Sequence, residues 1–256
     1  MTALTGAGVA SQVAYPLLRG EALRRLTIGS VATVCAAAVT ETWRRSGPRG
    51  GLTALAVAGG VGLLAEAVGT RTGRVFGAYR YAGTLGPQAA GVPLVVPLAW
   101  TMTAAPAVVL GRRLAQRLPP GTPRPVRDAV AVGTAAWTLA SWDLFLDPQM
   151  TAAGHWTFDR PRPHLPGVPG IPLTNYAGWA GVALAMCGLL HAGLPADRPG
   201  SGHAVPAALL GWTWLGSTLA NATFFRRPVV AAYGGIAMGL TVGPYLRESW
   251  RNRSAG

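Results

Sequence analysis

Seven apolar runs dominate this chain, at about 24–43, 52–69, 92–111, 127–147, 175–194, 205–225 and 229–246. Each is close to the ~20 residues needed to cross the hydrocarbon of a bilayer. The sequence therefore predicts an all-α fold, a polytopic integral membrane helical bundle of about seven transmembrane helices. It forms one membrane domain, with a short basic tail at 247–256. Half of the 256 residues are hydrophobic and 12% are charged, against about a quarter charged in soluble domains. No basic segment leads into an apolar core and a small-residue cleavage site before the first run, so that run is expected to remain as the insertion signal.

The net charge of +13 is carried by arginine, because the chain contains no lysine. Its arginines cluster at helix ends and in loops, as expected for snorkelling side chains and lipid headgroup contacts. They offer no basic domain outside the bilayer for nucleic acid. A retinal protein needs a lysine for its Schiff base and is excluded. The arginines divide almost evenly between the two sides, with a small excess from the 112–127 loop that favours a cytoplasmic C-terminus. Cys35 and Cys187 fall within apolar helical segments and read as packing residues. The four histidines lack ligand spacing, so no metal site and no cofactor is expected.

Against this background the stretch from Ser141 to Trp179 stands out. It reads S-W-D-L-F-L-D-P-Q-M, then a loop rich in proline and aromatics, then G-I-P-L-T-N-Y-A-G-W. Each charge would cost about 2.5–3.5 kcal/mol at the bilayer centre, so Asp143 and Asp147 need a partner or a use. Pro148 is expected to end the fourth helix, placing Asp147 at its C-terminus with Asp143 one turn back on the same face. Like charge, the negative end of the helix dipole and desolvation all act against two free carboxylates there. The pair reads as a general acid or, alternatively, as a structural pair pinned by Arg71, Arg74 or Arg80.

Two loop-to-helix junctions share the pattern G-[VI]-P-L-x5-W, Gly91 to Trp100 and Gly170 to Trp179. Each follows a loop containing aromatics, and each loop follows a span with a carboxylate near its end: Glu66 in one case, the aspartate pair in the other. A repeated two-helix unit would place both loops on one membrane face and gather the carboxylates there; proline at helix starts for backbone reasons is the alternative. Gly235, Gly239 and Gly243 form G-x-x-x-G steps that suit close helix packing within the bundle.

The segments Glu66 to Trp100 and Ser141 to Trp179 resemble the carotenoid biosynthesis membrane proteins of the CruF type, most specifically through W-D-L-F-L-D-P-Q-M followed by G-I-P-L-T-N-Y-A-G-W. The family usually has Pro-Phe-Gly where this chain has Val75-Phe76-Gly77, and often an aromatic where it has Pro169. Members are carotenoid hydratases, which add water across the terminal C1,2 double bond of an acyclic end group to give a tertiary alcohol. The resemblance thus implies a carotenoid substrate in the bilayer, membrane lipids around it, a multi-pass location in the cell membrane, and other carotenoid biosynthesis enzymes as candidate partners.

Such chemistry needs an acid in a dry pocket, groups facing a carbocation, and a held water. Asp143 or Asp147 would give the proton, with its partner or Glu66 holding the water. Trp142, Trp156, Tyr176 and Trp179 are candidates to face the cation, each worth roughly 0.5–2 kcal/mol; interfacial anchoring is their alternative role. Tyr79 and Tyr81 join them as loop aromatics for binding substrate. Asn175 would bond an aspartate or the new hydroxyl, or cap its helix. A carotenoid cyclase, an isoprenoid diphosphate transferase with magnesium on its aspartates, and a non-catalytic carotenoid-binding protein are the competing functions.

Overall fold

The computed structural model describes residues 3–14 and 17–254. A short helix, α1 (Ala3–Val13), precedes α2 (Gly20–Ala54), a π-helical turn at Leu55–Gly59, and α3 (Gly60–Thr72). A loop with strands β1 (Tyr79–Tyr81), β2 (Gln88–Ala89) and β3 (Val92–Pro93) leads into α4 (Val95–Ala115). Then come α5 (Arg124–Ala152), β4 (Trp156–Phe158), α6 (Leu173–Gly193), α7 (Ala204–Ala222) and α8 (Pro228–Ser254). Among the described residues, five helical stretches are long and apolar enough to cross a membrane: Gly20–Thr72, Val95–Ala115, Arg124–Ala152, Leu173–Gly193 and Pro228–Arg251. The protein is an all-α membrane bundle with very little sheet.

The first of those stretches holds two of the apolar runs. Gly47 interrupts α2 with φ 77° and ψ −178°, a left-handed conformation that glycine adopts without steric cost, and Pro48 opens the next segment. A Cβ on Gly51 would lie 3.1 Å from the Trp43 side chain and 3.4 Å from the Val39 carbonyl, twelve residues earlier. In a straight helix those residues would be about 18 Å apart. The second segment therefore folds back on the first.

Three features depart from the sequence expectation. Helix α1 was not foreseen, since eleven residues are too short to register as a span; Gly8 lets it sit against Val34 of α2. Helix α8 runs on to Ser254, and Glu248 within it pairs with Arg113 and Arg117 at 2.6 and 2.7 Å, so the basic stretch from 247 is not a separate tail as far as it is described. Pro148 does not end α5, which continues to Ala152. Proline removes one N–H, but the helix on either side is buried and the Thr151 hydroxyl donates to the Asp147 carbonyl at 2.6 Å. Asp147 thus lies more than a turn inside the helix, away from the negative end of the dipole where the sequence placed it.

The repeated junctions are structurally alike. Gly91 and Gly170 both have positive φ, 85° and 94°, and Val92 and Ile171 after them are fully buried. The loops before them meet as an antiparallel ribbon in which Tyr79 faces Phe158 and Tyr81 faces Trp156. Both loops therefore lie at one end of the bundle. At the other end Arg45, 2% exposed, pairs with Asp197, and Arg112 donates to the His191 and Leu194 carbonyls at 2.8 and 2.9 Å.

Glycine spacing sets the helix contacts. Gly235 and Gly239 pack on α7, where Trp214 donates its indole N–H to the Gly235 carbonyl at 2.7 Å, so the G-x-x-x-G steps serve the bundle interior. Gly111 of α4 is tighter: a Cβ there would lie 2.1 Å from the Ala131 carbonyl of α5. Backbone on both sides cannot yield, so Gly111→Ala is expected to lower stability by about 1–3 kcal/mol or more through overpacking. Gly133, with nothing within 4 Å of a built Cβ, should instead tolerate alanine with a gain of up to about 1 kcal/mol. Thermal melts of the two variants in detergent, followed by gel filtration, check the contrast.

Candidate active site

The site lies under the β1–β4 ribbon, where α3, α4, α5 and α6 meet. Asp143 and Asp147 are 0% and 2% exposed, and both are held by the side-chain amide of Asn175, which donates to Asp143 Oδ2 at 2.8 Å and to Asp147 Oδ2 at 2.5 Å. Asn175 sits in the first turn of α6, whose N-cap position is Pro172, so its side chain is spent on the pair and not on capping. Among the described residues no arginine pairs with Asp143 or Asp147; Arg80 pairs with Asp159 at the surface.

The third carboxylate has its own cradle. Glu66 receives the Tyr79 hydroxyl and, at 2.8 Å, the Tyr81 hydroxyl on Oε2, while the Trp100 indole donates to Oε1 at 3.1 Å. Burial and the nearby Glu66 carboxylate push both loop phenols well above the ordinary tyrosine range, so they serve as hydroxyl donors. The ribbon places alternate residues on one face, which is why Tyr79 and Tyr81 reach the same carboxylate.

Aromatic rings line the space between these groups. Trp100 and Trp179 stack with centroids 3.9 Å apart and planes 19° apart, and Trp142 meets Trp179 edge-on at 6.0 Å. Phe76 lies 6.2–6.3 Å from Tyr79, Trp100 and Trp179, and Trp156 stands edge-on to Tyr81. These rings border a cavity of about 1220 Å³. Of the candidates read from sequence, Glu66, Asp147, Trp142, Trp156, Asn175, Trp179, Tyr79 and Tyr81 line it.

Two candidates stand elsewhere. Asp143 sits behind Asp147 and does not line the cavity; its Oδ1 is buried without a hydrogen-bond partner. Tyr176 does not face the cavity either. It packs with a second apolar cluster, built from α4, α5, the loop before α6, α7 and α8, because it follows Asn175 on the helix and points about 100° away from it. Trp100 is a site residue that sequence reasoning missed, and the loop aromatics Phe76 and Phe158, not among the candidates, also line the cavity. The signal for Trp100 was present: it occupies in the first G-[VI]-P-L-x5-W junction the place Trp179 holds in the second, and the two stack. At Val75 the side chain differs from the usual family residue, but the part used is its carbonyl, which abuts Gly178 of α6 so closely that a Cβ there would come within 2.1 Å.

Fold and site together define a membrane-embedded helical protein with buried carboxyl groups beside a large aromatic cavity. The sequence profile of the carotenoid biosynthesis protein family matches residues 25–242. The chain belongs to that family. Over 115 residues, 44% of this chain and 36% of the relative, it is 34% identical to the bisanhydrobacterioruberin hydratase of Haloarcula japonica (strain TR-1). The aligned stretch thus spans little more than a third of that relative's length. No solved structure matches the chain.

Proposed function

We propose that the protein is a carotenoid hydratase that adds water across the terminal C1,2 double bond of an acyclic carotenoid end group. The observation that carries this reading is the placement of Asp147: a carboxyl group that borders a large aromatic cavity, backed by a second carboxyl and tied to it through Asn175. Asp147 delivers a proton to C2, leaving a tertiary cation at C1. The faces of Trp142, Trp156 and Trp179 stabilise that cation. Water held at Glu66 attacks C1, and the proton it sheds returns to the carboxyl groups, so the net change is addition of one water with no oxidant or reductant. The donors on Glu66 fix its orientation for this task. The hydratase named above supports the reading for the matched portion of the chain, and the location that follows is the cell membrane, with several crossings and a substrate drawn from the bilayer.

The test is expression in a lycopene-producing bacterium, with pigments analysed by chromatography and mass spectrometry. The expected product is heavier than its precursor by one water and keeps the same visible spectrum, because the hydrated bond lies outside the conjugated system. An isomer of unchanged mass would replace this reading with cyclisation, where the same acid starts the reaction and an internal double bond captures the cation. Unaltered pigment in cells holding the membrane-inserted protein would remove lycopene as a substrate.

A further inference from the structure

The cavity does not end at the site. It follows α7 from Ala220, near the site, to Ala208, Ala207 and Ala204 in the first turns. Ala204 and Ala220 are about 24 Å apart along the helix, most of the ~30 Å thickness of bilayer hydrocarbon. The two ends of α7 stand at opposite ends of the bundle. Beside its start, Arg45 donates to the Gly202 carbonyl at 2.5 Å and His203 meets the Tyr245 hydroxyl at 3.1 Å; its far end runs into the connection to α8 on the site side, where Val229 packs on Gly167. The acidic residues lining the cavity, Glu66 and Asp147, both belong to the site end. Exposure is graded across it as well: Phe76 and Trp100 on the floor are 2% and 1% exposed, whereas Leu215 and Leu219 on the α7 side are 54% and 60% exposed. The acidic groups therefore occupy one pole of a long, largely apolar slot that is open along α7.

The geometry points to α7 as the rail that holds the unreacted length of the substrate. An extended acyclic isoprenoid lies along it with one end group at Asp147 and its remaining chain running toward Ala208 and Ala204. The first two turns of α7 thereby select chain length, and one end is treated per binding event. A molecule with two identical ends must leave and return reversed before its second end reacts, so the singly reacted product accumulates first. The identity of the end reaction rests on the hydratase reading; the rail itself requires only an extended apolar chain.

The experiment uses the full chain in lipid nanodiscs with lycopene and with an acyclic isoprenoid hydrocarbon of about half its length carrying the same end group. Retention of each on the purified protein and formation of hydrated product are both read by mass spectrometry. Ala208→Leu is expected to lower the ratio of lycopene to short-chain retention at least tenfold, and Ala220→Leu to lower retention of both. Equal losses in Ala208→Leu, or no change in the ratio, would overturn the rail, as would a doubly hydrated product formed with no singly hydrated precursor. Retention by the wild type with the expected ratios but without hydration would sink the hydratase reading and leave the rail standing. Failure of the wild type to retain either chain would overturn the rail.

Discussion

Replacing Asp147 by asparagine is expected to reduce hydration by roughly 10²–10⁴-fold, the range a positioned general acid contributes, while the protein still inserts and still retains polyene. Asparagine keeps the shape of the side chain and can still hydrogen-bond, but it has no acidic proton to give to an alkene. Asp147 is singled out over Asp143 by geometry, since it lines the cavity and its neighbour does not. Asp143→Asn should therefore cost less, about tenfold, and should alter the pH profile of the remaining activity, because Asp143 acts on the substrate only through Asp147. Pigment production by the single variants in the lycopene-producing host, normalised to protein in the membrane, reads both effects. Equal losses in the two variants would assign the pair a joint role; full activity in Asp147→Asn would sink the acid assignment.

Asn175→Leu is expected to be the most damaging change to stability at the site. Leucine fills a similar volume but removes both N–H donors that hold the carboxyl pair, and Asp143 Oδ1 already lacks a partner. Breaking a buried polar arrangement of this kind costs about 3–5 kcal/mol, which should appear as a lower midpoint of thermal unfolding in detergent and a reduced yield from membranes. The mechanism predicts a specific rescue. In an Asp143→Asn background a new amide lies beside Asp147, so Asn175→Leu should cost markedly less there. A double-mutant cycle measures that coupling, and additive losses would show that Asn175 acts through packing instead.

Much of the fold was legible because apolar run length carries it: most of each of the seven stretches read from sequence is helical, although α7 is not among the helices long and apolar enough to cross a membrane, and the break between the first two falls at Gly47-Pro48. Helix α1 was not legible, since its stability comes from contacts with α2 and α7, including the Trp212 indole bonding Gln12 at 2.6 Å, and not from a pattern of its own. Pro148 misled because the rule about residues before proline is local, while burial on both sides holds α5 straight through it. At the site, chemistry-bearing residue types were visible but their partners were not. Asn175 lies 28 residues from Asp147, and the bond between them exists only once α5 and α6 pack. Tyr176 was misassigned because adjacency in sequence says nothing about which way a helical side chain points until the helix phase is known.

The stacked pair Trp100 and Trp179, together with Trp142 and Trp156, places four fluorophores at the wall of the cavity. These four indoles border the space into which a conjugated chain would fit, and a polyene absorbs in a region that accepts excitation energy from tryptophan at such range. Occupancy of the cavity should thus quench the native ultraviolet emission, giving the molecule an intrinsic optical gauge that needs no label and follows loading independently of any reaction.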